Sequence, residues 1–267
     1  MTVPLYDVQE TNVAIEALRT ISRSLPEPFL LIGGWAVYLT VNESFSKIHG
    51  TSYLGSRDID ICFHVDPGQD IDTLRGSTFA RALEVVKKEG YAPHGSYRFC
   101  KMIRKADGTI LTEEMAKGFP LYEIIYLYID MMVDNIHPQH KNIFKCDPLD
   151  EPIAAQIFMD GSYVKKKLGD FYVNIPNPAS LLATKLRSIP QRQKDDKLWK
   201  DACDIYSIIW HSPEKYSSIV KKVKEEYPDD CAKARIAITK DVANRAAYHI
   251  GIERDEFIGV IDLLKLL

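Results

Sequence analysis

The apolar positions change rhythm along the chain, and each change marks an element. Val8 to Leu25 carries Ile15, Leu18, Ile21 and Leu25 at helical spacing, and Pro26 ends the run. Phe29 to Ile32 is a short apolar stretch followed by Gly33-Gly34, which predicts a buried strand, a tight turn and a helix beginning near Trp35. Asn42 to Ser56 is polar, contains Gly50 and Gly55, and predicts a mobile loop. Asp58 to Val65 then alternates acidic and apolar residues. On a strand this turns Asp58 and Asp60 to one face, and Ile59, Ile61 and Phe63 to the other.

Pro67-Gly68 closes that strand, and Thr78 to Glu89 reads as a helix with Phe79, Leu83 and Val86 on one face and Gly90 at its end. Tyr97 to Arg104 is a strand candidate, and Asp107-Gly108 carries a hairpin signal. Leu121 to Asp134 predicts a third strand with Tyr128, Asp130, Met132 and Asp134 on one face. Ile136 to Asp160 reads as irregular, with His137 and His140 as solvated loop histidines, because no further ligand joins them at zinc spacing. Tyr163 to Ile175 predicts a hairpin around Gly169-Asp170, with Lys165, Lys166 and Lys167 as a charged edge. From Asn177-Pro178 onward the pattern is helical, over 181–189, 198–210, 213–226, 231–250 and 253–267. The order predicts an α+β protein: residues 1–176 as a mixed-sheet domain with an N-terminal helix, and residues 177–267 as a helical domain.

Composition narrows the classes. The 267 residues are 46% hydrophobic and 27% charged with a formal net charge of -3, as in an ordinary globular protein, so nucleic-acid binding would rest on local basic patches. No apolar run approaches the roughly 20 residues needed to span a bilayer. The N-terminus has no basic-then-apolar order, so a signal peptide is not expected. The five cysteines are scattered and odd in number, which fits reduced thiols in a cytoplasmic protein with no membrane partner.

Two groups of residues carry candidate chemistry. Asp58 and Asp60 side by side on one strand face repel each other unless a divalent cation lies between them. Asp130, inside an apolar run where a bare carboxylate is costly, is the candidate third ligand, with Asp134 at the strand exit as the alternative. Gly33 and Gly34 present backbone N–H groups at a helix start, where a phosphate sits well against the dipole. Ser56-Arg57 brings a cation near the same stretch, although an exposed arginine is the plainer reading. Further on, Lys185 lies beside the apolar face of one helix and Asp201 lies within the inner stripe of the next, formed by Leu198, Ala202, Ile205 and Ile209. Periodicity alone supports a buried salt bridge and a phosphate-contacting lysine equally.

The ordered set of strand, Gly33-Gly34, helix and S-R-D-I-D-I resembles the signature of the nucleotidyltransferase superfamily, the polymerase-beta-like fold. The later L-L-A-T-K-L, basic Gln191 to Lys200 loop and K-D-A-C-D-I are similar to C-terminal motifs of AbiEii-type nucleotidyltransferases, the toxin half of type IV toxin–antitoxin pairs; the matching residues are Lys185, Lys200, Asp201 and Asp204. Together these motifs span most of Phe29 to Trp210. The resemblance implies two Mg²⁺ ions at Asp58, Asp60 and Asp130, and an NTP such as ATP held by Gly33, Gly34, Ser56, Arg57 and Lys185. It also implies Lys185 and Asp201 in catalysis, an RNA acceptor such as the 3′ end of tRNA, and a cognate antitoxin. Trp35 after the glycines departs from the familiar G-G-T or G-S, and GGWAV also resembles lincosamide-type adenylyltransferases. A small-molecule or protein acceptor, and a non-catalytic nucleotide-binding member of the fold, are therefore the competing expectations.

Overall fold

The computed structural model describes residues 8–267. The first seven residues, which open the stretch read as lacking a leader, lie outside the described part. In chain order the elements are α1 (Val8–Ser24), β1 (Leu30–Ile32), α2 (Gly33–His49), β2 (Asp58–Phe63), α3 (Ile71–Arg75), α4 (Thr78–Lys88), β3 (Ala92–His94), β4 (Arg98–Arg104), β5 (Ile110–Leu111) and α5 (Glu113–Ala116). They continue with β6 (Ile124–Val133), α6 (His140–Phe144), β7 (Leu149–Asp150), α7 (Ile153–Asp160), β8 (Tyr163–Leu168), β9 (Phe171–Pro176) and α8 (Pro178–Ser188). Five further helices close the chain: α9 (Asp195–His211), α10 (Tyr216–Glu226), α11 (Pro228–Ala237), α12 (Lys240–Ile250) and α13 (Arg254–Ile261).

The described residues fall into two compact units, 8–31 with 56–174, and 32–55 with 175–267. The first is built on a mixed sheet of order β1-β2-β6-β4-β3, with β5 on β4 and β7 on β6. β2 and β6 run parallel, while β4 is antiparallel to β6. The apolar side of β2 and β6, including Ile59, Ile61, Ile129 and Met131, is buried, and α1 packs on β2, β6 and α4 with Ala14, Leu18 and Ile21. Phe63 meets Phe29 and Phe79 in the same core. The β8–β9 hairpin around Gly169 pairs as a separate two-stranded sheet, as the pattern predicts.

The second unit is a helical assembly around α9, which α2, α8, α12 and α13 surround. A helix packed on several sides buries its whole circumference, so α9 exceeds the single inner stripe expected: residues 200–209 are all buried. Tyr206 stacks on Phe257 with ring centroids 4.8 Å apart.

Several expectations are corrected. Residues 42–49 are helical rather than a loop, because Val37, Val41 and Phe45 continue one buried face at i, i+4 spacing; Gly50 ends α2 in the left-handed conformation. Residues 136–160 contain α6, β7 and α7. His137 and His140 are buried rather than solvated: His137 Nε2 pairs with the Gln69 carbonyl, and His140 packs on the Phe79 ring. The helix expected over 231–250 is two helices, broken where Thr239 caps α12 through the Val242 N–H. The basic loop expected from Gln191 to Lys200 is short, since α9 begins at Asp195 and Lys200 is buried within it.

Candidate active site

Parallel pairing sets Asp60 opposite Asp130 and Asp58 opposite Tyr128. Alternation then gathers Asp58, Asp60 and Asp130 on the polar face of the first unit's sheet. β4 adds a cation from the other side of β6, because its antiparallel register places Arg98 opposite Asp130. Arg98 Nε and Nη2 each donate to one Asp130 oxygen at 2.6 Å, and Nη2 lies 3.8 Å from Asp58 Oδ2. The guanidinium also sits 4.5 Å from the centroid of the Tyr128 ring. Burial alone would lower the Arg98 pKa, but Asp130 and Asp58 outweigh it and hold the group firmly protonated. The planar fork matches a carboxylate in a way that a lysine cannot.

The alternative acid, Asp134, has a different task. It is fully buried, accepts the Val65 N–H at 2.8 Å, and pairs with His64 Nδ1 at 2.5 Å. That bonding ties the ends of β2 and β6 together. Ser56 is buried and donates to the Asp58 carbonyl, while Arg57 reaches Glu10 at 3.5 Å.

As donors, three carboxylates on one sheet face suit a hard divalent cation such as Mg²⁺, which prefers oxygen ligands. Among the described residues, however, no three acidic, histidine or cysteine side chains are arranged to chelate an ion together. Arg98 already holds both oxygens of Asp130. The residue types fit the metal, whereas their present arrangement has Arg98 as the cation at Asp130.

In the second unit, α2 starts directly at Gly33, two residues earlier than expected, with Gly33 at φ 65° and no side chain capping the helix. The first N–H groups of any helix lack intrahelical acceptors, which makes such a start an anion seat. The salt bridge read from periodicity is present: Lys185 Nζ lies 2.9 Å from Asp201 Oδ1 and 2.8 Å from Asp204 Oδ2. Arg192 and Ser188 hold the other Asp201 oxygen. Lys200 pairs with Asp204, and the Tyr53 hydroxyl donates to Asp204 Oδ1 at 2.7 Å. Burial would raise the Asp201 pKa, but Lys185 and Arg192 prevail and hold it well below the usual carboxylate range. Burial would likewise lower Lys185, yet Asp201 and Asp204 hold it above the usual value. For Lys200 burial, aided by Lys185, outweighs Asp204 and the pKa is lowered.

Sequence reasoning missed Arg98 and Tyr53. Arg98 is one cation in an alternating strand, and only the β4–β6 register gives it significance. Tyr53 lies in a stretch read as loop, without a periodic partner.

A mixed sheet aligning acids in this way belongs with the nucleotidyltransferases, and that is the class of this enzyme. The chain belongs to the AbiEii family: the family model described as "Nucleotidyl transferase AbiEii toxin, Type IV TA system" matches residues 17–255. No match was found among curated proteins. Among solved structures, an antigenic nucleotidyltransferase-like protein from Paracoccidioides brasiliensis is similar at 15% identity, over 86% of this chain and 94% of that one, with a TM-score of 0.41.

Proposed function

We propose that this nucleotidyltransferase moves a nucleotide from an NTP to an acceptor hydroxyl on RNA, as a toxin whose activity a cognate antitoxin restrains. The observation that carries the reaction is the register placing Asp130 beside Asp60, on the face that also holds Asp58. These three residues are the proposed seat of Mg²⁺, which when bound neutralises the triphosphate and stabilises the attacking and leaving oxygens. The acceptor oxygen bonds to the α-phosphorus as the bond to the bridging oxygen breaks, and pyrophosphate departs. Asp130 is the candidate acceptor of the hydroxyl proton, and the two hydrogen bonds from Arg98, which favour its charged form, oppose that role for as long as they hold.

Gly33 and Gly34 are the proposed N–H donors to the phosphates, with Ser56 and Arg57 beside β2 as candidate additions. Lys185 is the proposed cation for charge on the leaving pyrophosphate, and Asp201 orients it. The RNA acceptor and the antitoxin rest on the family, whose description names a type IV toxin–antitoxin system.

The test is label transfer from each α-labelled NTP to total RNA with Mg²⁺, beside Asp58→Ala/Asp60→Ala. Label on RNA with the wild type alone supports the proposal. Mg²⁺-dependent NTP binding without RNA labelling moves the acceptor to a small molecule or a protein. Absence of both overturns the reading.

A further inference from the structure

Within the first unit, α4, the β3–β4 turn, and α6 with the residues after it line a half-open cavity of about 560 Å³. That volume lies in the range of roughly 300–1,000 Å³ typical of ligand sites. Its walls carry Arg75, Arg81, Lys87, Arg98 and Lys145 against one acid, Glu84. Two of these cations have only weak partners: Arg75 meets Asp72 at 3.4 Å and Lys87 meets Glu84 at 3.3 Å, both as exposed i, i+3 pairs. Among the described residues, neither Arg81 nor Lys145 has a carboxylate within salt-bridge distance. Burial pushes the Cys146 thiol, also on the wall, up to about 11, so it adds no negative charge at neutral pH.

Like charges around a concavity repel each other, and low-dielectric walls strengthen their joint field toward an anion. Apolar side chains of α4, β4 and α6 supply those walls. One wall residue is Arg98, whose guanidinium already bridges toward the carboxylate face at Asp130 and Asp58. An anion in the cavity thus sits one arginine away from the proposed metal ligands.

We propose that this cavity binds phosphate groups of the substrate that meets the carboxylate face, its placement in the reaction resting on the function proposed above. The phosphates belong either to the backbone of an RNA strand or to the triphosphate of the NTP. A polyanion here supplies the counter-charge that Arg81 and Lys145 lack, and it competes with Asp130 for Arg98.

The full chain would be titrated, in EDTA and without turnover, with a fluorescent single-stranded RNA and separately with a fluorescent NTP, across a salt series. Arg81→Glu/Lys145→Glu reverses two cavity charges; Lys165→Glu/Lys167→Glu makes the same charge change on the exposed β8. Expected is an affinity loss of about tenfold or more for the cavity variant in one arm. In the RNA arm its salt dependence flattens by about 1.4 in log–log slope, roughly 0.7 for each lost contact. The β8 variant loses less than about twofold. Loss in the RNA arm assigns acceptor phosphates, and loss in the NTP arm assigns donor phosphates. Unchanged binding in both arms, or equal losses for the two variants, overturns the proposal. Thermal melts accompany each variant, and Arg81→Gln/Lys145→Gln replaces the reversal if it unfolds. Because no transfer is measured, the result is independent of whether Asp58 and Asp60 support catalysis.

Discussion

Arg98 closes on Asp130 through two parallel hydrogen bonds of 2.6 Å, leaving that carboxylate no oxygen without a cationic donor. A metal that recruits Asp130 must compete with this fork for the carboxylate's charge, or displace it. A bidentate charge-assisted pair is stronger than an ordinary hydrogen bond, and its loss is a cost subtracted from metal affinity. Arg98→Gln is therefore expected to tighten Mn²⁺ binding by about tenfold, equivalent to about 1.4 kcal/mol. Electron paramagnetic resonance of free Mn²⁺ measures this directly. Weaker binding in the variant would show that Arg98 supports the metal instead of opposing it.

Gly33 occupies φ 65° at the start of α2, a conformation that costs an L-residue roughly 1–2 kcal/mol. Gly33→Ala is expected to lower the unfolding free energy by that amount and to weaken NTP binding. A variant with unchanged NTP affinity but the expected loss of stability would limit this glycine to a structural role.

Much of this was legible because the relevant signals are local. Alternation over Asp58 to Phe63 fixes which side chains share a face, and helical spacing around Lys185 and Asp201 correctly pairs them at 2.9 Å. What escaped depends on contacts distant in sequence. Asp130 and Arg98 are 32 residues apart and meet only through strand register, which no single strand encodes. The polar appearance of 42–56 concealed the end of a helix because Phe45, continuing the buried positions Val37 and Val41, is the one buried residue of 42–49. His137 and His140 looked solvated because the groups that cover them from outside the segment, the Gln69 carbonyl and the Phe79 ring, are some 60 to 70 residues earlier in the chain.

The Lys185 cluster separates two kinds of loss. Tyr53→Phe removes one donor to the fully buried Asp204, and is expected to cost about 1–2 kcal/mol in urea unfolding. Lys185→Met removes the cation shared by Asp201 and Asp204 and is expected to cost about 3–5 kcal/mol. If Lys185→Arg recovers most of that stability while nucleotidyl transfer stays low, the lysine has a chemical task beyond holding two helices together. If Lys185→Arg restores both, its task is structural.

His140 gives the sharpest pH signature. Burial, and secondarily His137, lowers its pKa to about 4, with Asp147 acting weakly in the opposite direction. Neither ring nitrogen has a hydrogen-bond partner among the described residues, and Phe79 and Phe144 pack around the ring. The folded value lies below the unfolded value of about 6.5, so the unfolded chain binds more protons between the two. The stability of the neutral ring is fully present above about pH 6.5 and is lost as the pH falls toward 4. His211 shares this sign, because burial and then His49 lower it to about 4 as well. His140→Phe removes a buried polar group without a partner, and is expected to raise stability at pH 7 by about 1 kcal/mol. It also reduces the acid slope by up to about 1.4 kcal/mol per pH unit, the full effect of one proton, while His211 maintains the remainder. Urea unfolding from pH 7 to pH 4 measures both quantities. An unchanged slope would mean that His140 is protonated inside the fold, with an acidic partner drawn to its ring.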